Sequence, residues 1–312
     1  MYPADVRQDR PVEVFMAHMD VVFPDESELP LRVEDGRIYC PGVGDEYIAE
    51  HVDSPQWREI RREDAPGLLL VCNAGEEGLG NLKGVHKICE DFGDRIERFC
   101  TFDSSLSSIV DRAVGSKRFR VRVRTRGGHS YNNFGNDNAI ACLASLVGEL
   151  YGIRVPEGGK TTYNVGMISG GTSVNTIAQE AEMLYEFRSD RRENLEYMER
   201  QFMKVIDRGK SEGMDVSLEI IGVRPCEGPV DPKRKQALSD WAHRVVEEMT
   251  GQAPKHCAGS TDCNIPLSLG IPSVCVGSFR GAGAHTREEY VETDSLEEGY
   301  KVAFGMIFGS RD

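Results

Sequence analysis

Seven side chains pose the chemical question. His18 and Asp20 stand as H-x-D after VEVFMA, and Asp45 follows GRIYCPGVG. Glu76 and Glu77 are adjacent within LLLVCNAGEEGLGNLKG, Asp103 follows IERFCTF, and His285 closes SVCVGSFRGAGA. Neighbouring carboxylates repel one another and need hydration, so a pair placed directly after an apolar run is costly unless a cation stands opposite. Two imidazoles and three carboxylates, one of them bridging, suit a pair of Zn²⁺ ions better than Ca²⁺ or Mg²⁺, which take oxygen-only shells. One glutamate then acts as a ligand, while its neighbour stays free to take a proton from water. Asp20 is spaced to fix the tautomer of His18. Singly, each feature has an ordinary reading as a solvated turn. Five strand ends that each deliver a carboxylate or an imidazole outweigh it.

Those strand ends follow from the pattern of the chain. Short apolar runs at 12–17, 67–73, 96–102 and 272–277 predict strands, and helical periodicity marks 81–92, 232–250 and 295–308. In open α/β sheets a site lies beyond the carboxyl ends of the strands. The middle of the chain reads differently. KRFRVRVRTR alternates like a strand with one wet face, and NDNAIACLASLVGEL is helical with Asn136 or Asp137 as its cap. KTTYNVGMIS and AEMLYEFRS are strands, RENLEYMERQFMKVIDRG is an amphipathic helix, and MDVSLEIIG is a strand. That β-α-β-β-α-β order predicts a ferredoxin-like domain over 112–224, inserted into an α/β domain formed by 1–111 and 225–312.

The net charge of −14 argues against a nucleic-acid or anionic-membrane partner, since both need a basic footprint. The nine cysteines are scattered without a C-x-x-C pair and read as reduced thiols of a cytoplasmic protein. MYPADVRQDR has no apolar core of a signal peptide, and no run approaches the roughly 20 apolar residues of a membrane span.

The segments AHMDVV, PGVGD, NAGEEGLGNLKG, RGGHSYNNFGNDNAI, GGTSVNTIAQEAEMLYEFRSD, GSTDCNIPLSLGIPSVCVG and GAHTREEYVE occur in this order along almost the whole chain. Together they resemble the dizinc exopeptidase and deacylase superfamily, which includes peptidase T, glutamate carboxypeptidase, aminoacylase, acetylornithine deacetylase and succinyl-diaminopimelate desuccinylase. The resemblance implies a zinc-exopeptidase-like α/β domain with a mixed central sheet, plus an inserted α+β lid that forms a homodimer. It implies metal ligands at His18, Asp45 (bridging), Glu77, Asp103 and His285, with Glu76 as general base and Asp20 orienting His18. It places His129 in the partner subunit's site as a carbonyl-polarising residue. Asn175 and Arg188 become substrate-binding, and Gly259, Ser260 and Thr261 become part of the substrate pocket. Two Zn²⁺ per chain are implied, with Co²⁺ or Mn²⁺ as substitutes, and so is hydrolysis of an amide.

GVGD, GEEGLGNLKG and HTREEY are most similar to the peptidase T-like branch, whose substrates are short peptides; a deacylase of N-acyl amino acids is the alternative. The segment EYIAEHVDSPQWREIRREDAP departs from the family, with nine charged residues in 21 and Pro55 inside it, a composition unfit for a buried helix. Only 17 residues precede His18, fewer than is usual in the family. These departures keep a third reading open, a non-catalytic homologue acting as a dimeric binding protein. Arg188 also has an ordinary reading as the partner of a surface acid, and Asp262 as a helix cap. His51, His86, His243 and His256 match no motif position and read as ordinary.

Overall fold

The computed structural model describes residues 10–23, 28–46 and 66–309, without the side chains of Asp45 and Glu46. The chain divides into two compact units, Met1–Ala113 with Glu227–Asp312, and Val114–Cys226. The first unit opens with β1 (Val12–His18), β2 (Arg32–Glu34), β3 (Arg37–Tyr39) and the short helix α1 (Val43–Glu46). It continues with β4 (Gly67–Asn73), α2 (Lys83–Phe92), β5 (Ile96–Phe102) and β6 (Ser108–Ala113). The second unit comprises β7 (Gly115–Arg124), β8 (Gly128–His129), α3 (Ala139–Tyr151), β9 (Thr161–Gly170) and β10 (Thr176–Ile177). It ends with β11 (Glu180–Ser189), α4 (Arg192–Ser211) and β12 (Asp215–Arg224). The chain then returns to the first unit as α5 (Pro232–Thr250), β13 (Lys255–Gly259), α6 (Asn264–Ser268) and β14 (Ser273–Val276). Last come β15 (Gly281–Ala282), β16 (Tyr290–Glu292) and α7 (Ser295–Phe308).

The central sheet of the first unit has the order β13-β6-β14-β5-β1-β4. β1, β4, β5 and β14 run parallel, whereas β6 is antiparallel to β14 and carries β13 parallel to itself. Every residue of β1 is buried, as a strand covered on both faces must be. Its side chains alternate: Phe15 and Ala17 join the core with Leu238, Trp241 and Val245 of α5 and Met306 of α7. Val12, Val14 and Met16 face Val85 and Ile88 of α2 and Ile265 of α6. Glu13, fully buried, is tolerated there because Arg98 of β5 donates to it at 3.1 Å. A separate small sheet, β15-β16-β3-β2, carries two of the predicted site segments.

The main sheet of the second unit is antiparallel, β12-β7-β11-β9, the order of a ferredoxin-like fold, and β8 and β10 pair as a separate two-stranded sheet. Phe119, Val121 and Val123 of β7 point into a core closed by α3 and α4. The alternating arginines take the other face, where Arg120 pairs with Glu219, Arg122 with Glu182 and Arg124 with Glu180.

Four expectations change in detail. The α3 cap is Asn138, not Asn136 or Asp137: its side chain accepts from the Ile140 and Ala141 amides. α2 starts at Lys83 rather than 81, because Asn81 and Leu82 adopt left-handed backbone with φ of 57° and 62°. Strands β6 and β13 escape the sequence pattern, being short and broken by Asp111, Arg112 and His256. Asp45 and His285 belong to the small sheet's connections, so three of the five site segments, not all five, come from the central sheet.

The aromatic cluster of the second unit yields a stability prediction. Phe202 is fully buried, 4.4 Å from the Phe119 ring centroid and 5.2 Å from that of Tyr185. Phe202→Ala is expected to cost about 3–5 kcal/mol, read from urea unfolding of the variant against the unaltered chain.

Candidate metal centre

The site begins where three neighbouring parallel strands end. β1 pairs with β4 so that His18 lies level with Asn73, and β5 on its other side ends just before Asp103. The register therefore delivers His18, the glutamate turn and Asp103 to one edge. His18 is only 2% exposed. Its Nδ1 lies 3.1 Å from the Asp20 carbonyl oxygen, and its Nε2 lies 3.7 Å from Asp103 Oδ1. The first contact selects the tautomer with the proton on Nδ1, leaving the Nε2 lone pair toward Asp103.

Asp20 does more than orient His18. Its Oδ1 accepts the Glu76 amide at 3.2 Å and its Oδ2 accepts the Glu77 amide at 2.9 Å. One carboxylate thus grips the backbone of both glutamates. The turn is closed by Gly80 N–H to Glu77 O and Leu82 N–H to Gly75 O, each at 2.8 Å. Gly75 has φ +89°, and a Cβ on Gly80 would come within 2.6 Å of the Gly75 backbone, so this crossing admits only glycine.

From that turn the two carboxylates part. Glu76, 4% exposed, brings an oxygen into a group with His18 and Asp103 whose ligand atoms all lie within 4.8 Å of one another. Glu77 Oε1 instead lies 3.0 Å from His285 Nε2. His285 occupies a left-handed backbone position, φ 65°, in the connection from β15 to β16. Four carboxylates (Asp20, Glu76, Glu77 and Asp103) and two imidazoles therefore share one edge. Such crowding of negative charge is relieved by divalent cations, and the mixed nitrogen and oxygen donors fit zinc.

Asp45 ends in α1, its backbone described but not its side chain, and residues 47–65 of the charged departure lie outside the described residues. What holds α1 is a residue that the sequence reading missed. Glu289, 4% exposed, accepts the Gly42 amide at 2.9 Å and the Gly44 amide at 3.3 Å. It ties PGVGD to HTREEY; both motifs were visible in the sequence, but their contact was not.

Gly259 ends β13, and Thr261 serves a turn: its amide donates to Asn264 Oδ1 at 3.0 Å and its hydroxyl accepts from Cys263 N at 3.2 Å. Ser260 lies between them. Asp262 is not the side-chain cap of α6; its Oδ2 accepts Asn73 Nδ2 at 2.8 Å, reaching the end of β4.

The remaining predicted residues lie in the second unit. His129 is exposed on β8, and its Nδ1 accepts from the amides of Tyr131 and Asn132 at 3.3 and 3.4 Å, so its proton is on Nε2. Asn175 is adjacent, with its carbonyl accepting the Ser130 amide at 2.9 Å. Arg188 meets Glu186 through two hydrogen bonds, of 2.9 and 3.1 Å. Burial pushes the Glu186 carboxyl up, but the hydrogen bond and charge of Arg188, with those of Arg118, outweigh it and leave the carboxyl below its ordinary value.

Residues 113–214 match the M20 family described as a peptidase dimerisation domain. The succinyl-diaminopimelate desuccinylase of Nitrosomonas eutropha is 26% identical over 93% of this chain and 80% of its own length. The crystal structure of aminopeptidase PepT from Bacillus cereus superposes with a TM-score of 0.70 at 21% identity, covering 97% of this chain and 82% of that one. A tripeptidase from Staphylococcus aureus gives 0.71 at 20% identity, covering 96% and 81%.

Two outcomes follow from this geometry. Asp20→Ala releases both glutamate amides, and metal affinity measured by competitive chelator titration is expected to fall roughly 10- to 100-fold. The Arg188–Glu186 pair stabilises the fold above the ordinary carboxylate range and is lost as pH falls through the lowered value. Arg188→Ala should thus weaken resistance to urea at neutral pH and much less in acid.

Proposed function

We propose that this chain is a metal-dependent amide hydrolase of the M20 superfamily of dizinc peptidases and deacylases, and that it removes residues from short peptides. Enzymes of this superfamily work with divalent metal ions, typically zinc. In our reading His18 and Asp103 would hold one ion and Glu77 and His285 another, with Asp45 completing the ligand set. Bound there, the ions lower the pKa of water and polarise the scissile carbonyl.

The chain's own residues supply the proton traffic. Glu76 takes a proton from the attacking water and returns it to the leaving amine. Its low exposure removes competing solvent, and the Asp20 grip on its amide fixes where its carboxylate starts. His129, with Nε2–H turned outward, is a donor suited to a developing oxyanion in a partner subunit's site, which is why we assign the second unit to homodimer formation.

The observation that carries this reading is the Asp20-clasped turn, which sends Glu76 to His18 and Asp103, and Glu77 to His285. It also favours an enzyme over a non-catalytic binding protein, since it parts Glu76 from the Glu77–His285 pair, as a base beside a metal ligand requires. Two findings weigh on the substrate. The peptidase T-like wording of the motifs, with a fold shared with an aminopeptidase and a tripeptidase, favours short peptides. The desuccinylase among its relatives in sequence favours an N-acyl amino acid as the second reading.

Glu76→Gln is expected to keep its bound metal and lose roughly 10²- to 10⁴-fold in amide hydrolysis, while Glu77→Gln should lose metal. An unchanged rate in the first variant would refute the base assignment. Tripeptides should outperform N-acetyl and N-succinyl amino acids in a substrate panel; turnover of the acyl compounds alone would move the reading to a deacylase.

A further inference from the structure

Two of the histidines that match no motif meet on the edge of the central sheet remote from β4. His256 lies on β13, Asp111 on the neighbouring β6, and His243 on α5. Asp111 Oδ2 accepts Ser239 Oγ at 2.9 Å and stands 2.6 Å from His256 Nδ1. A carboxylate only accepts, so His256 carries its proton on Nδ1 and presents the Nε2 lone pair. That lone pair faces His243 Nδ1 at 2.9 Å, with the two ring planes 9° apart. His243 Nε2 in turn lies 3.8 Å from Glu247 Oε2, one helical turn along. Both imidazoles are about one-third exposed, at 32% and 34%.

We propose that His243 Nδ1 and His256 Nε2 form a second metal site, taking a borderline divalent ion such as Zn²⁺, Ni²⁺ or Cu²⁺. Imidazole pairs select these ions over Mg²⁺ and Ca²⁺. Asp111 supplies the carboxylate behind a ligating histidine that fixes tautomer and ring orientation. Binding moves the His243 proton from Nδ1 to Nε2, on the side of Glu247, and so frees the Nδ1 lone pair for the ion. Two zinc–nitrogen bonds of about 2.0–2.1 Å at a tetrahedral angle span roughly 3.3 Å, so the nitrogens part by a few tenths of an ångström and each ring turns to aim its lone pair at the ion, which rings one-third exposed permit. Water completes the shell, while Glu247 stands beside the other nitrogen of His243, Nε2. Cys257, next on the strand, is not a donor: its Sγ turns to the Ile109 carbonyl, and burial, with Asp111 adding, pushes its thiol up. The site is distinct from the candidate centre, because β13 and β1 are four strand spacings apart, roughly 19 Å at about 4.8 Å each.

Zinc content after dialysis against micromolar free Zn²⁺ tests the proposal. His243→Gln and His256→Gln should each hold one ion fewer per chain than the unaltered protein, and Asp111→Asn should need roughly 10- to 100-fold more free zinc to fill the site. The unaltered chain gives an independent readout, since zinc should shift the imidazole ¹⁵N resonances of His243 and His256. Equal zinc contents in the unaltered protein and both folded histidine variants would overturn the proposal. So would unmoved resonances in the unaltered protein at saturating zinc.

Discussion

One carboxylate holds the candidate centre in shape. Asp20 accepts the amides of Glu76 and Glu77 while its own carbonyl engages His18, so three of the chemical groups are fixed relative to a single residue. The arrangement works because β1 and β4 end level, which places the residues after His18 beside the residues after Asn73. Without that register the glutamate turn would have no reason to fold back, and its two carboxylates would separate into solvent. With it, an amide pair that would otherwise need water is satisfied by a charged acceptor, a strong class of hydrogen bond.

The second support comes from outside the central sheet. Glu289 grips the amides before Asp45 from a position four residues beyond His285, so the small sheet carries two predicted ligands as one piece. Here too a carboxylate, in this case a buried one, is paired with backbone N–H groups rather than with a cation. Both supports spend negative charge on holding loops. Together with Glu76, Glu77 and Asp103, they concentrate carboxylates where the chain's overall charge is already −14. A divalent ion is the natural counterweight to that concentration.

The second unit follows different physics. Its sheet is half-covered, so β7 alternates between a core of Phe119, Val121 and Val123 and an open face of arginines matched to glutamates on β11 and β12. The alternation was legible in KRFRVRVRTR because period two is the whole requirement of such a strand. Arg188 shows the limit of that legibility. Its place on β11 was readable, but its engagement by Glu186, two residues earlier, depends on which way each side chain turns.

The sequence by itself determined the types of group at the site, their order, four strands of the central sheet and the inserted β-α-β-β-α-β unit, since these rest on local patterns and short spacings. It did not reveal β6 and β13, whose short, polar-interrupted segments become strands only through pairing with neighbours far along the chain. Nor did it reveal that His18 and Asp103 pair on one side and Glu77 with His285 on the other, that Glu289 anchors α1, or that Asp111 joins two unremarked histidines. Each of these is a contact between distant segments, set by sheet register and side-chain direction, and only the tertiary structure decides those.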